Sequence, residues 1–147
     1  MDDFHNSFKV QPNVIYPQAV GTTGAANGVT SGIIDRRGFG GVTFLYSFGT
    51  LPAATEVILP VVLECATTGG TFTSVADGDL IGTEADAGLA AAVRVSGDTY
   101  RVARKLTYKG AQPYLKTKLY GVGTATAIVS AAALLHTPRH APGAGNP

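Results

Sequence analysis

GVTFLYSFGTLPAATEVILPVVLECATTGGTFTSVADGDLIG, residues 41–82, contains the clearest strand pattern of the chain. Apolar and aromatic side chains occupy every second position from 42 to 48, so they share one face of an extended strand. A second strand is predicted over residues 56–66, and a Gly-Gly turn at 69–70 leads to a short return over residues 71–75. We expect these segments to form the centre of one β-sheet layer.

The composition limits the class of protein and its partners. The 147 residues suit one domain with a substantial core. Hydrophobic residues make up 45% of the chain and charged residues only 14%, whereas about 25% charged is usual. So uncharged a surface is typical of a protein that is covered by a partner or by copies of itself. The net charge of +1 argues against nucleic acid and anionic membranes as the main ligand.

The chain before this stretch is less regular. Residues 1–12 are polar and are predicted to form a flexible arm, followed by a first strand over residues 13–20. Pro17 places that strand at a sheet edge, because proline has no N–H group for the ladder. A short strand is predicted over residues 29–35, and a polar turn over residues 36–38 follows it.

The C-terminal half carries further alternating segments. Residues 90–96 and 99–108 flank a Gly-Asp link at 97–98, which predicts a β-hairpin, and residues 114–122 form another predicted strand. Residues 125–135, ATAIVSAAALL, fit a helix by alanine propensity. Their β-branched members and fully apolar length favour a strand buried on both faces, and we predict a strand.

These segments predict an all-β fold, a compact antiparallel β-sandwich or barrel of jelly-roll type with extended arms. The predicted divisions are a flexible N-terminal arm over residues 1–12, a single β domain over residues 13–135, and an extended Pro/Gly-rich tail over residues 136–147. Pro60 interrupts the strand over residues 56–66, so this strand lies at an edge or is bulged there.

Arg104 is the least expected residue of the predicted body. It carries a charge on the apolar face that Val102, Leu106 and Tyr108 share. Its side chain reaches solvent at the end of the sheet, pairs with an acid, or contacts a neighbouring subunit, and the sequence leaves these three arrangements open.

No residue pattern predicts catalysis, a cofactor or a metal site. His136 and His140 have helical spacing for a metal pair, with His5 as a third ligand, but Pro138 disfavours a helix between them. The acidic residues of segment 77–86 lack the ligand spacing of a calcium loop. No G-x-S-x-G elbow is present, and nothing fixes the separation of a carboxylate pair. We therefore expect no enzyme activity.

Four segments together have the pattern of a known family. They are IDRRGFGGVTF (residues 34–44), VLECATTGGTFTSVADGD (62–79), YRVARKLT (100–107) and LLHTPRHAP (134–142). With their turn glycines, alternating apolar residues and arginine-bearing strand, they resemble small virion proteins from the head-gene clusters of tailed bacteriophages. The resemblance covers roughly residues 32–142.

The resemblance implies a capsid decoration, or cement, protein. Such proteins are compact β modules that commonly form homotrimers on the outside of the phage head and clamp neighbouring copies of the major capsid protein. Residues 1–11 show no signal-peptide pattern, so we expect synthesis in the host cytoplasm and assembly onto the outer surface of the virion. The residues expected to contact the capsid or sister subunits are Phe4, Phe8, Val14, Ile15, Tyr16, Arg104, Tyr114, Tyr120, His136, Arg139 and His140.

Two other functions fit the same pattern. A tail, neck or head-fibre subunit of a tailed phage would also be rich in strands, poor in charge and self-associating, but it would form a larger ring. A carbohydrate-binding β-sandwich would present clustered aromatic side chains, for which Tyr46, Tyr108, Tyr114 and Tyr120 are the candidates. The absence of Trp weighs against this second alternative.

Overall fold

The computed structural model describes residues 7–20, 28–50, 57–89, 100–122 and 127–138. This part of the chain contains one short helix, α1 (Glu84–Ala87), and a 3-10 turn at Asp77–Asp79, so it has no helix that is long and apolar enough to cross a membrane. Its strands are β1 (Phe8–Val20), β2 (Val29–Thr30), β3 (Ile34–Asp35), β4 (Phe39–Thr50), β5 (Val57–Cys65), β6 (Thr73–Ser74), β7 (Leu80–Ile81), β8 (Tyr100–Tyr108), β9 (Tyr114–Val122) and β10 (Ala127–Pro138).

The strands form two antiparallel sheets, which confirms the predicted β-sandwich. The first sheet has the order β1-β10-β4-β8-β7, and the second has the order β2-β9-β5-β6, with β3 also paired to β9. When β2 and β3 are counted as one interrupted strand and the short edge strand β7 is left out, successive strands alternate between the sheets, except that β5 and β6 follow each other in the second sheet. This is the jelly-roll arrangement. That topology was named among the predicted alternatives.

Aromatic and aliphatic side chains from both sheets fill the space between them. In β4, the inward residues Val42, Phe44, Tyr46 and Phe48 are all buried, as the alternation predicts. They meet buried aliphatic residues from the second sheet, such as Leu119 on β9. Burial of one face in each sheet is what an antiparallel sandwich requires.

The expectation that residues 41–82 build a single layer is wrong. Strand β4 is central in the first sheet, whereas β5 and β6 pair with each other in the second sheet. Alternation identifies which face of a strand is buried, but both sheets of a sandwich bury a face in the same core. The pattern therefore could not distinguish a neighbour in the sheet from a neighbour across the core.

The predicted edge position of Pro60 agrees with the structure. Ile58 donates its backbone N–H to Leu89, and Val62 donates to the Glu84 side chain, so both N–H groups point away from the β5–β9 ladder. Pro60 lies two residues from each, and its nitrogen therefore faces the same side. The segment that contains α1 covers this edge where β6 does not reach.

The ends of the body differ from the predicted divisions. Residues 8–12, assigned to the flexible arm, belong to β1, which pairs with β10 at the edge of the first sheet. Their polar character hid the strand, because Lys9 and Gln11 lie on an edge that solvent reaches. Residues 136–138 likewise complete β10 instead of beginning the tail. The predicted partner strand over residues 90–96 lies outside the described residues, as do residues 1–6 and 139–147.

Strand β10 is a strand as predicted, but it is not buried on both faces. Its residues alternate between fully buried and partly exposed positions along the whole length. Val129, Ala133 and Leu135 enter the core, while Ile128 on the other face is 51% exposed. The expected second covering layer is absent from the described part of this protomer.

Candidate functional site

The exposed surface of the first sheet carries several large apolar side chains among small and hydroxyl-bearing ones. We call it the apolar face, and it comprises the outward side chains of β1, β10, β4, β8 and β7. Its large exposed members are Val10 (53% exposed), Leu45 (43%), Ile81 (60%) and Ile128 (51%). Directly opposed residues of an antiparallel pair share a face, and the register sets Leu45 beside Ala132 of β10. Single exposed apolar residues are ordinary, but a contiguous set of them marks an interaction surface.

The apolar face carries little charge. Among the described outward side chains of its central strands β10, β4 and β8, Lys105 is the one charged residue. The other outward residues on these strands are Thr43, Leu45, Ser47, Ala103, Thr107, Ile128, Ser130, Ala132, Leu134 and His136. Solvent contact therefore falls mainly on methyl, methylene and hydroxyl groups.

Small side chains open two grooves on this surface. One groove, of about 330 Å³, lies over Ser47, Gly49, Ala103 and Ser130, with Ile128 beside them. An adjoining groove of about 600 Å³ shares Ser47 and Ala103 and extends past Leu45 and Lys105 to Asp86 of α1. The apolar face thus has projecting bulky side chains beside grooves that are lined mainly by small residues.

A row of polar side chains crosses one end of the apolar face. The hydroxyl of Thr43 lies 2.8 Å from that of Thr107 and 3.1 Å from Nε2 of His136, whose Nδ1 lies 3.0 Å from the Thr137 hydroxyl. The imidazole lies over Gly41, where an added Cβ would approach Cε1 to 2.5 Å. Glycine is therefore required under the ring, and these polar atoms are paired within the protomer.

A buried arginine fixes one end of the sandwich. Arg36 is 2% exposed, and its Nε donates to the carbonyl of Gln112 at 2.6 Å. Its Nη1 donates to the carbonyls of Phe39 at 3.3 Å and Gly40 at 3.0 Å, and its Nη2 donates to that of Gly110. A guanidinium has five donor hydrogens in a planar fork, so one side chain holds two separate backbone segments together.

Tyr108 continues this buried arrangement. Its hydroxyl donates to Oε2 of Glu64 at 2.6 Å and accepts from the backbone N–H of Gln112 at 2.9 Å, and its ring lies 5.1 Å from the Arg36 guanidinium carbon. Burial, together with the hydrogen bond to the Glu64 carboxylate, raises the pKa of Tyr108 above its ordinary value. The phenol stays protonated, and the described contacts of the cluster are those of a structural clamp.

A second hydrogen-bonded chain connects the two sheets. The hydroxyl of Tyr46 on β4 lies 2.7 Å from that of Thr117 on β9, which donates to the carbonyl of Val61 at 3.3 Å. The backbone N–H of Thr117 donates to the Ser31 hydroxyl at 2.9 Å. Burial raises the pKa of Tyr46, which keeps its phenol neutral. These contacts satisfy buried polar groups and present no nucleophile to an opening.

The acidic segment 77–86 is a covering element. Glu84 accepts the backbone N–H of Val62 at 3.0 Å, and desolvation by burial raises the pKa of its carboxyl. Thr83 caps α1 by accepting from the Asp86 N–H at 3.0 Å. Within the described residues, no three His, Cys, Asp or Glu side chains are placed to hold a metal ion.

The outer surface of the second sheet is different in character. Lys116 lies 4.3 Å from the ring centroid of Phe72, and Arg37 lies 5.3 Å from that of Tyr114. Arg37 also forms an ion pair with Asp35 at 2.6 Å, and its hydrogen bonds hold the pKa of the Asp35 carboxyl below its ordinary value. This surface combines cations with aromatic rings, so water solvates it more readily than the apolar face.

The contact residues predicted at the N-terminus fall in three environments. Phe8 lies opposite His136 in the β1–β10 register, at the polar end of the apolar face. Val14 packs against the core, and Ile15 is inside it at 2% exposure, so neither offers a free side chain. Tyr16 is exposed on the edge strand.

The other predicted contact residues are not brought to one place. Arg104 lies opposite Tyr46 in the register and is half-buried at the larger groove. Tyr114 and Tyr120 are half-buried on β9 in the second sheet. Phe4, Arg139 and His140 lie outside the described residues.

Two features of the structure were not predicted. Arg36 and Arg37 are adjacent and chemically identical, yet Arg36 is buried and Arg37 is exposed. Leu45 and Ile128 are outward residues that are as apolar as the inward residues of their strands, so their hydrophobicity did not mark them as exposed. The one signal available was the fully apolar composition of β10, which indicated a need for cover on both faces.

Comparisons with known proteins identify no family for this chain. No family model matches the sequence, and no curated protein matches it. Among solved structures, the chain is similar to the CBM22-1–GH10 modules of the N-terminal endo-1,4-beta-D-xylanase 10B of Clostridium thermocellum, complexed with xylohexaose, with a TM-score of 0.39 and 10% sequence identity. The match covers 95% of this chain and 28% of that chain, so this chain spans under a third of the structure it matches.

Proposed function

We propose that the protein is a structural virion subunit, a capsid decoration (cement) protein of a tailed bacteriophage. It binds the outside of the head and stabilises contacts between major capsid proteins. The observation that carries this proposal is the apolar face, a broad exposed sheet surface with one charge among the described outward side chains of its central strands. The sequence resemblance to head-cluster virion proteins supports the same role.

The buried polar groups fit a structural role. Arg36 donates to backbone carbonyls, the Tyr108 hydroxyl donates to the Glu64 carboxylate, and the Tyr46 hydroxyl pairs with that of Thr117. A clamp of this kind resists deformation, because separating the two ends of the sandwich breaks several buried hydrogen bonds together. A cement subunit needs a stiff body, and it needs no reactive side chain.

The proposed mechanism relies on several weak contacts acting together. A homotrimer presents three copies of each capsid-binding surface, so its avidity exceeds the affinity of one contact. The N-terminal segment 1–12 or the C-terminal segment 136–147 is proposed to contact the major capsid protein, and residues 8–12 and 136–138 of these segments are edge-strand and β10 residues in the structure. The expected result is a head that better withstands heat and internal pressure.

The mass of the assembly and its binding to heads test this proposal. Light scattering on the purified protein is expected to give the mass of a trimer, and the protein is expected to sediment with heads that lack it. Heads so decorated should release DNA at a higher temperature than bare heads. A hexameric or dodecameric ring that does not bind heads would instead support the tail or neck alternative.

The second sheet supports one other candidate function, carbohydrate binding. Phe72, Tyr114 and Tyr120 are partly exposed there, and stacked aromatic rings are one way to hold a sugar. Cations already lie over the rings of Phe72 and Tyr114, which leaves Tyr120 as the best platform. Binding to a glycan array that is lost in Tyr120→Ala and kept in Tyr16→Ala would support this candidate over the decoration role.

A further inference from the structure

We propose that a second copy of this chain covers the apolar face. This inference rests on the self-association that the proposed function requires, and it names the surface and the partner. In its simplest arrangement, the β1–β10 half of one copy packs on the β4–β8 half of the next. Three features of the described residues support this arrangement: area, shape and the pairing of polar atoms.

The area is that of a stable protein interface. Neighbouring strands lie about 4.8 Å apart and each residue adds about 3.4 Å, so four strands over about nine residues present roughly 600 Å². Covering this face buries roughly 600 Å² on each copy, at the lower end of the area that one partner buries in a standard specific interface. A small ligand or a single peptide strand would leave most of the surface exposed.

The apolar face has both projecting side chains and a groove that can receive them. Val10 and Ile128 project from the β1–β10 half and Leu45 projects from the β4–β8 half. The 330 Å³ groove between β10 and β4 is lined by Ser47, Gly49, Ala103 and Ser130. When the β1–β10 half of each copy packs on the β4–β8 half of the next, the contact is heterologous. With a three-fold rotation it closes into the homotrimer of the proposed function and does not propagate into fibres.

Charge does not oppose this pairing. Each copy brings one described outward charge, Lys105, to the central strands, so covering the face desolvates little charge. A nucleic acid or an acidic peptide would meet few cations among the described outward side chains of these strands. A like face of the same chain is the partner that this lack of charge fits.

The polar atoms of the apolar face tolerate being covered. Thr43, Thr107 and His136 are hydrogen-bonded to one another or to Thr137 within the protomer. Covering a polar group is unfavourable mainly when the group is left without a partner. This row can therefore enter an interface without orphaned donors or acceptors.

Matched lysine substitutions test the inference. Light scattering over a dilution series is expected to show that Ile128→Lys and Leu45→Lys are monomers where the wild type is assembled. Val122→Lys, at a similarly exposed residue on the second sheet, is the control and should keep the wild-type mass. Circular dichroism should show all three variants folded, because these side chains point away from the core. A wild type that is monomeric throughout, or an Ile128→Lys protein that assembles normally, overturns the inference.

Thiol labelling supplies a second readout that does not depend on mass. In a Cys65→Ala background, a maleimide is expected to modify Ser130→Cys more slowly as the protein concentration rises, while Thr73→Cys on the second sheet reacts at a constant rate. Equal rates at both sites would refute the covered face. If the protein assembles through this face but does not bind heads, the decoration role is refuted and the covered face is not. If Ile128→Lys has the same assembly mass as the wild type and binds heads equally well, the covered face is refuted and the decoration role is not.

Discussion

Replacing Arg36 by Met tests the clamp at the end of the sandwich. The substitution keeps an unbranched side chain of similar length but removes every donor, which leaves the carbonyls of Phe39, Gly40, Gly110 and Gln112 without that partner. Hydrogen bonds to charged groups contribute about 1.5–3 kcal/mol each. Part of this is offset because the buried charge also disappears, so we expect a net loss of about 3 kcal/mol from the carbonyls left unsatisfied.

That loss is a large share of the stability of a single domain, which is about 5–15 kcal/mol. For a chain of this size, about 3 kcal/mol corresponds to a fall in Tm of roughly 10 °C. Urea unfolding followed by far-UV circular dichroism measures the free energy of unfolding directly. Arg37→Met is the matched control, because its exposed ion pair with Asp35 is worth about 0–1 kcal/mol. If the two variants lose equal stability, the buried clamp is not what holds the two segments together.

Three further substitutions have expected outcomes that urea unfolding can check. Burial raises the pKa of Glu84, so the folded protein holds that proton more tightly and loses stability as pH rises above the ordinary value of 4.5. Glu84→Gln, which can still accept from Val62, should raise stability at about pH 7 and flatten this slope; an unchanged slope contradicts it. Tyr46→Phe removes the contact to Thr117 and should cost about 1–2 kcal/mol, and a neutral result would show that water replaces the phenol. Thr137 is a β-branched residue at φ 57°, so Thr137→Gly should stabilise by up to about 1 kcal/mol, unless the hydrogen bond to His136 outweighs the strain.

Local patterns predicted the strands well because alternation is a property of one strand alone. Strands β4, β5, β9 and β10 each agree with a predicted segment to within a few residues. Pro17 and Pro60 also indicated edges correctly, because a missing N–H group has the same consequence in any sheet. The all-β class followed from these local signals.

The predictions that failed concern features that depend on the rest of the fold. Whether β4 and β5 share a sheet depends on which strands lie between them, and no local pattern records that. Whether Arg36 is buried depends on carbonyls contributed by residues 110–112, some seventy positions away in the chain. The strand character of residues 8–12 was hidden because an edge strand exposes Lys9 and Gln11 to solvent.

The contrast between β9 and β10 is the strongest support for the proposed assembly of several copies. Both strands lie between neighbours within their sheets, and both bury their inward residues. Lys116 and Lys118 of β9 point outward, which is what a solvated sheet face needs. The outward positions of β10 instead include Ile128, Ala132 and Leu134. The composition of β10 predicted burial on both faces, and within the described residues the structure buries one of them. Because β9 shows that this fold can solvate an outer strand face with charged residues, the apolar outward residues of β10 support the proposed cover by a second copy.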